Sequence, residues 1–253
     1  MSSNKTVVKS LEILQLFYTH ECLTLQEMVD LLTLPKTSLY RQVKALEEMG
    51  FLTKNSDGKY ALGLIFLELE QLVAERLDIR RIAFPYMCRL RDEVKEAVNL
   101  IVREGDEAIY IEKVDTQNPV RLYTRVGRRS PLYAGACSRI LLAFMSPEEA
   151  ENYISRTELK AMASGTITDR DELREVVARA RMLGYSVSYS ELEDYSAAVA
   201  APIFNHRGQA VAGLSLAGLE AHYEDENLSL LIQKIKQTAE EISRQLGYKQ
   251  QAR

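Results

Sequence analysis

The side chains best suited to bind a metal or to act as nucleophiles are three histidines and three cysteines. A zinc site needs several such ligands at short, regular spacings, and the histidines do not lie at such spacings from the cysteines. The sequence also lacks a Gly-x-Ser-x-Gly nucleophile motif, a phosphate-binding loop and a dinucleotide-binding fingerprint. We therefore expect no catalytic residue, no metal site and no cofactor, and we do not expect an enzyme. The six residues are His20, His206, His222, Cys22, Cys88 and Cys137.

Cationic and hydroxyl side chains recur between residues 36 and 44, in a stretch with helical spacing. Leu39, Val43 and Leu46 fall on one face of this helix, and most of the polar residues fall on the other. Arginine can donate two hydrogen bonds to a guanine edge, and lysines and hydroxyls contact DNA phosphates. The helix is therefore a candidate for reading DNA. The predicted DNA-contacting residues, including two lysines that flank a turn, are Lys36, Thr37, Ser38, Tyr40, Arg41, Lys44, Lys54 and Lys59.

Two helices are predicted to precede this one. Apolar residues recur at helical spacing over residues 5–19. Thr24 and Glu27 have the spacing of a capping box, which predicts that a second helix begins there. Pro35 separates the second helix from the third, predicted at about 35–49, because proline is tolerated in the first turn of a helix but not in its interior.

A β-hairpin is predicted after the third helix, which Gly50 is suited to end. Residues 51–54 and 59–62 have the pattern of short strands, and Asp57-Gly58 between them is a strong hairpin signal. Three helices followed by a hairpin form a winged helix-turn-helix, whose recognition helix fits the major groove of DNA. We therefore predict a DNA-binding domain over residues 1–63.

The rest of the chain is predicted to contain a linker helix over residues 64–77 and a second domain over residues 78–253. The apolar surface of Leu64–Val73 is broad for a solvated connector, so it is expected to pack on a partner. Strands and helices do not strictly alternate after residue 96, which favours an α+β fold with an antiparallel sheet over a doubly wound one. The predicted strands are 97–102, 108–114, 120–126, 185–189, 196–204 and 210–217, with a loop at 127–131. The predicted helices are 79–94, 134–144, 148–156, 169–183 and 225–246.

Charge and composition limit the class of protein further. The chain has 32 Lys and Arg against 36 Asp and Glu, a net charge of −4, which excludes a uniformly basic nucleic-acid binder. The first sixty residues hold seven of each kind, so a local cationic surface is compatible with this balance. The sequence shows no signal peptide and no run of roughly 18–20 apolar residues. We expect a cytoplasmic protein without membrane contact, and three widely spaced cysteines do not suggest disulfides.

Several motifs, in order along nearly the whole chain, resemble those of IclR-type bacterial transcriptional regulators. The chain has Leu-Pro-Lys-Thr-Ser-Leu-Tyr-Arg at 34–41 and Leu-Glu-Glu-Met-Gly-Phe-Leu at 46–52. The segments 6–14, 60–63, 127–136 and 200–204 are similar to further motifs of that family. Several separate motifs in the right order are more specific than one helix-turn-helix.

The resemblance implies a GAF-like C-terminal domain that binds a small metabolite, often an organic acid, and controls binding to double-stranded operator DNA. It also implies a homodimer or a dimer of dimers, and a repressor more commonly than an activator. Two alternatives stay open from the residues alone: a winged helix that binds protein, and an enzyme domain with an attached helix-turn-helix. Loss of site-specific DNA binding in Arg41→Ala would separate a DNA reader from a protein-binding winged helix.

The family's effector pocket maps onto this sequence by the same resemblance. Family members present backbone N–H groups at a helix start, which here corresponds to Gly135 and Ala136, and exposed N–H groups of that kind attract anions. Tight packing of these small residues is an equally good explanation for them. The corresponding effector-binding residues are Gly135, Ala136, Ser188, Tyr189, Glu191, Ala198, Ser215 and Ala217.

Four departures from the family pattern affect this pocket. Ser138-Arg139 replaces a common Gly-Lys pair, and Tyr195 replaces a glycine. Ala198 and Ala217 replace a cysteine and a serine, so two polar contacts are missing. We therefore expect an effector other than the small α-keto acids that suit a fully polar pocket.

Two further groups near the expected pocket have alternative roles. Arg121, Arg125 and Arg128 could pair with an anionic effector, although surface ion pairs explain them as well. Cys137 lies near a helix start, where the pKa of a thiol can be lowered. An inert buried cysteine is the simpler interpretation, and covalent sensing through Cys137 is kept as a hypothesis.

Overall fold

A computed structural model of the 253-residue chain describes residues 5–32, 34–76, 78–118, 122 and 124–249. The chain divides into two compact units, Met1–Leu77 and Asp78–Arg253. Each unit has a hydrophobic core of its own.

The first unit contains the predicted helices and hairpin, followed by a further helix. The helix α2 begins as its capping box predicts: the Glu27 amide donates to Thr24 Oγ1 over 3.2 Å, and the Thr24 amide donates to Glu27 Oε2 over 2.6 Å. Gly50, with φ +79°, follows the end of α3 and confirms the predicted stop. The elements are α1 (Lys5–Gln15), a 3-10 turn (Leu16–Tyr18), α2 (Leu25–Leu32), α3 (Lys36–Glu48), β1 (Leu52–Lys54), β2 (Tyr60–Leu62) and α4 (Ile65–Arg76).

The core of the first unit holds α3 and the hairpin in place. The inward face of α3 packs with residues from the first two helices and from both strands of the hairpin. Strands β1 and β2 pair antiparallel, with Leu52 opposite Leu62. The turn is fixed by Asn55, whose Oδ1 accepts from the Lys59 amide over 2.9 Å. The buried side chains are Ile13, Phe17, Leu23, Met28, Leu39, Val43, Leu46, Leu52 and Tyr60.

The second unit is a six-stranded antiparallel sheet with helices on both faces, as described within residues 78–249. The strand order is β5-β4-β3-β8-β7-β6. Helices α5 and α9 pack on one face, and α6 packs on the other, beneath α8. The elements are α5 (Asp78–Val94), β3 (Ala97–Glu104), β4 (Glu107–Val114), β5 (Arg129–Pro131), α6 (Ala136–Ala143), α7 (Pro147–Arg156), α8 (Arg170–Leu183), β6 (Ser186–Tyr189), β7 (Ser196–Phe204), β8 (Ala210–Leu219) and α9 (Asp225–Gln245).

One predicted strand is wrong where the structure describes it. Residues 122 and 124–126 are not in a strand, and Val120 and Arg121 lie outside the described residues. The carbonyl of Thr124 accepts from Lys113 Nζ over 2.9 Å, so a side chain takes the place of a strand partner. The edge strand is instead β5, inside the segment predicted as a loop, where Arg129 pairs with Ile109. Its last residue is a proline, which an edge strand tolerates.

Candidate functional site

The predicted DNA-contacting residues of α3 lie along one exposed side of the helix. Thr37, Tyr40, Arg41 and Lys44 have the spacing i, i+3, i+4 and i+7, and all four are exposed. Opposite them the helix is anchored by its buried apolar residues. The helix can therefore enter a groove without disturbing its own packing.

The other predicted contacts are arranged less uniformly. Ser38 is half-buried, and its hydroxyl accepts from Gln42 Nε2 over 3.3 Å. Lys36 is exposed and donates to Gln26 Oε1 over 3.3 Å. Lys44 pairs with Glu47 at 3.1 Å, which raises the pKa of the lysine above its usual value. Surface pairs of this kind are weak, so both lysines can exchange their present partners for DNA phosphates.

The hairpin carries two cations, one on either side of its turn. Lys54 is exposed at the end of β1, with its Nζ 5.4 Å from the centre of the Tyr60 ring. Lys59 is half-buried, at the start of the returning strand. A hairpin that displays cations on either side of its turn is suited to contact a DNA backbone.

The second unit contains a cavity between the start of α6, the loop after β6 and the inner face of the sheet. Its empty volume is about 440 Å³, including the open mouth. It therefore suits a small molecule. The lining residues are Tyr110, Leu122, Thr124, Arg128, Gly135, Ala136, Cys137, Ser188, Leu192, Glu193, Ser196, Ala197, Ala198, Ser215 and Ala217.

Gly135 shapes the wall of this cavity. It precedes α6 with φ +82° and ψ 149°, a conformation that side chains rarely adopt. A Cβ atom at Gly135 would also lie 2.8 Å from Leu192 Cδ1. Both the backbone angle and this contact favour a glycine. They support tight packing as one reason for Gly135.

The N–H groups at the start of α6 are already hydrogen-bonded within the protein. The Gly135 amide donates to Glu191 Oε2 over 2.9 Å, and the Ala136 amide donates to the Ser188 hydroxyl over 2.9 Å. By the family resemblance, these amides were expected to contact an effector. The structure instead pairs two predicted ligand contacts, Gly135 and Ala136, with two others, Glu191 and Ser188.

Glu191 belongs to a buried ion pair with Arg139. Arg139 is 1 % exposed, and its Nη1 and Nη2 donate to the two carboxylate oxygens over 2.7 and 2.8 Å. Its Nε donates to Ser186 Oγ over 3.1 Å, and Nη2 also donates to the Val187 carbonyl. Such bidentate geometry is strong and directional. The pair joins α6 to β6 and to the loop that covers the cavity.

The sheet side of the cavity contains polar groups without partners. Ser215 on β8 lies opposite Asn99 on β3. Among the described residues, the Ser215 hydroxyl and Asn99 Nδ2 have no hydrogen-bond partner, although both are buried. Asn99 Oδ1 accepts from Thr124 Oγ1 over 3.0 Å, which orients the amide. Buried polar atoms of this kind are costly unless a water or a ligand satisfies them.

The remaining polar lining lies around Cys137. Tyr110 Oη and Cys137 Sγ are 2.9 Å apart. Burial is the largest cause that raises the pKa of the Cys137 thiol, so the position near the start of α6 does not activate it. Arg128 Nη1 donates to Glu193 Oε1 over 2.8 Å, with the guanidinium 6.0 Å from the Tyr110 ring centre.

Six of the eight predicted effector-binding residues line the cavity, and two do not. Tyr189 and Glu191 are absent from the lining, and Tyr189 Oη donates to the Tyr223 carbonyl over 2.9 Å. Among the residues not predicted are Tyr110, which lines the cavity, and Asn99, which contacts the lining residue Thr124. Asn99 had a visible signal, since it is a polar residue within the apolar run of β3. Arg121, also considered for this site, lies outside the described residues.

The described residues give no support for other kinds of site. Nowhere in that part of the chain do three or more His, Cys, Asp or Glu side chains converge as a metal site would require. Among the described helices, none combines the length and apolar character needed to cross a membrane.

Comparison with known proteins agrees with the two-part architecture. The helix-turn-helix domain of the IclR family matches residues 6–56, and the C-terminal domain of IclR bacterial transcriptional regulators matches residues 71–244. The HTH-type transcriptional regulator KipR of Bacillus subtilis is 55% identical, over 98% of this chain and 99% of that protein.

Solved structures have the same fold. The Thermotoga maritima IclR structure superimposes with a TM-score of 0.83 and 31% identity, covering 96% of this chain and 99% of that one. An IclR homologue from Microbacterium hydrocarbonoxydans, in complex with 4-hydroxybenzoate, gives a TM-score of 0.84 at 26% identity, covering 95% and 98%. The chain belongs to the IclR family of bacterial transcriptional regulators, and it is a helix-turn-helix DNA-binding regulator rather than an enzyme.

Proposed function

We propose that this regulator is a cytoplasmic repressor whose hold on operator DNA is controlled by a small molecule in the cavity of the second unit. The observation that supports the effector site is that two buried polar atoms beside the cavity, Ser215 Oγ and Asn99 Nδ2, have no hydrogen-bond partner in the described part of the chain. The homologue bound to 4-hydroxybenzoate supports a small organic effector.

The DNA-contacting surface is proposed to be the exposed side of α3 with the lysines of the hairpin. Arg41 would donate to a base edge, and the lysines and hydroxyls would contact phosphates. The proposed division is a DNA-binding domain over 1–63, a linker helix over 64–77 and an effector domain over 78–253.

We propose a homodimer, or a dimer of dimers, formed in part through the first unit. Two linked winged helices read two half-sites, which increases specificity. Exposed leucines support this role: Leu64, directly before α4, and Leu67 and Leu72 within it are each more than half exposed.

The first experiment is binding of the protein to its own upstream DNA at two salt concentrations, with nonspecific competitor. A discrete complex that weakens steeply with salt is expected. Arg41→Ala should lose roughly 1–3 kcal/mol of site-specific binding, whereas Arg207→Ala, an exposed arginine in the β7–β8 loop, should bind normally. No discrete complex with the wild type would instead favour a winged helix that contacts protein, and equal binding by Arg41→Ala would show that Arg41 does not contact a base.

The effector site is tested by filling the cavity. Ala198→Phe places a ring in the lined space, so operator binding should persist while its response to metabolites is lost. Val211→Phe, on the same sheet outside the cavity lining, is the matched control. A metabolite response that survives Ala198→Phe would place the effector elsewhere.

A further inference from the structure

The start of α6 has the features of a binding position for an anion. The first N–H groups of a helix point outwards with a partial positive charge and attract carboxylates or phosphates. Here the positive φ of Gly135 turns its N–H towards the loop after β6, and the guanidinium of Arg139 lies buried beside it. One N–H group and one buried cation therefore converge on the same point.

A side chain of the protein already occupies that point. Glu191 Oε2 accepts from the Gly135 amide over 2.9 Å and from Arg139 Nη1 over 2.7 Å. The other oxygen accepts from Arg139 Nη2 over 2.8 Å. The hydroxyl of Ser188 takes the next amide, that of Ala136. Both N–H groups and the cation are thus satisfied before any ligand enters.

We propose that Glu191 is a built-in anion that fills this position, so that the pocket selects effectors whose group next to Gly135 is uncharged. This inference rests on the proposed function, in which the cavity holds the effector. Glu191 does not line the cavity itself. It would determine specificity indirectly, by occupying the Gly135 amide and Arg139.

The other charged groups around the cavity agree with this selection. A carboxylate placed beside Gly135 would find the amide already bonded to Glu191 and the charge of Arg139 already neutralised, so nothing there would compensate its lost hydration. Arg128 is the cation of the lining, and Glu193 already pairs with it at 2.8 Å. On the sheet, the Ser215 hydroxyl lines the cavity, and Asn99 Nδ2 lies on the strand opposite it; neither atom has a partner among the described residues. A carbonyl or hydroxyl oxygen of the ligand suits these two residues.

The experiment removes the built-in anion and supplies a free one. Glu191→Ala deletes a CH2–COO⁻ group, which has the size of acetate, and exposes the Gly135 amide and Arg139. The melting temperature of the full chain is measured in sodium acetate and in sodium chloride at equal ionic strength, with acetamide as an uncharged probe. Glyoxylate and pyruvate are tested in the same way.

We expect the melting temperature of Glu191→Ala to fall by roughly 10 °C, because an uncompensated buried arginine remains. Acetate at about ten times its dissociation constant should restore roughly 3 °C or more, and acetamide should not. The same acetate should shift the wild-type protein less. Asp194→Ala is the matched control, because Asp194 lies in the same loop as Glu191 but is exposed. Its carboxylate accepts a hydrogen bond from the Ser164 amide, and it has no buried cation beside it among the described residues.

A larger acetate shift in Glu191→Ala than in both the wild type and Asp194→Ala supports the proposal. Equal shifts in the three proteins, or no shift in any of them, overturn it. If Glu191→Ala does not fold in chloride, the recovery of folded protein on refolding in acetate is compared with that in acetamide, and equal recovery overturns the proposal.

The wild type and Glu191→Gln provide a second measurement. Glutamine fills the same space without a charge, so acetate should gain no access and Glu191→Gln should respond no more than the wild type. A response of Glu191→Gln equal to that of Glu191→Ala would overturn the proposal. No DNA is present in these measurements, so an acetate rescue without any metabolite effect on operator binding would defeat only the proposed function.

Discussion

Breaking the buried pair of Arg139 and Glu191 should cost more stability than breaking one of the ion pairs on the surface. Removing one member leaves the other charge buried and uncompensated, which typically costs about 3–5 kcal/mol. We expect Arg139→Ala to lose stability in that range, measured by urea unfolding of the full chain. Arg139→Lys should recover part of the loss, because a lysine keeps the charge but not the bidentate geometry.

An exposed arginine supplies the control for this measurement. Arg129 pairs with Glu104 and Glu107 at the edge of the sheet, and its side chain is 46% exposed. Surface pairs of this kind contribute little, so Arg129→Ala should change stability by less than about 1 kcal/mol. Equal losses in Arg129→Ala and Arg139→Ala would contradict the energetic importance that we assign to burial.

Cys137 is expected to be an unreactive thiol. Burial raises its pKa, so at pH 8 a smaller fraction is thiolate than for an ordinary cysteine, and the fraction grows only as the pH rises further. Mass spectrometry after brief iodoacetamide treatment at pH 8 should find Cys22 and Cys88 modified first, since both are partly exposed. Rapid labelling of Cys137, or loss of effector response in Cys137→Ser, would revive covalent sensing.

Single residues also show how far the sequence could predict the site. The resemblance located the start of α6, because Gly135 and Ala136 lie in a continuous motif, and it matched single positions on β7 and β8. It did not show that Glu191 and Ser188 hydrogen-bond to the amides of Gly135 and Ala136. Those contacts join segments more than fifty residues apart, and no local pattern reports whether an amide is free.

At the scale of elements, the hairpin and α3 should contribute differently to DNA binding. Lys54 and Lys59 are proposed to contact phosphates, so the double variant Lys54→Ala/Lys59→Ala should weaken binding to all sequences alike. The slope of log affinity against log salt should become shallower by about 2. Titrations at four salt concentrations, with operator and scrambled DNA, measure both quantities.

Arg41→Ala is the comparison for the hairpin variant. It should lower the preference for operator over scrambled DNA while leaving much of the binding to scrambled DNA. The hairpin variant could instead lose its preference for operator over scrambled DNA and keep the wild-type salt slope. The lysines of the hairpin would then contact bases rather than phosphates.

Elements were predictable where local chemistry specifies them. The capping box of Thr24 and Glu27 and the stop at Gly50 confirm such predictions. The edge strand β5 was missed because three residues bearing an arginine and a proline have no strand signal. It forms through pairing with β4, a tertiary contact.

For the whole molecule, two separate cores imply that each unit carries its own part of the function. The core of the first unit supports α3 and the hairpin, and the core of the second surrounds α6 and the inner face of the sheet. A regulator built in this way needs a connection that transmits the state of the effector cavity to DNA. Assembly of two chains is the simplest means, because it fixes the spacing of two recognition helices.

The exposed leucines of α4 make this assembly testable. Leu67 is 65% exposed and Leu72 54%, an unusual amount of apolar surface for one helix. Leu67→Glu with Leu72→Glu would place charges in a two-fold interface and should shift the protein towards smaller species in light scattering. Operator affinity should fall at least tenfold, because linked half-sites gain affinity through effective concentration. Met182→Glu, at a residue 78% exposed on α8, should change neither property. An unchanged oligomer in the double leucine variant would show that α4 packs on something other than a second copy.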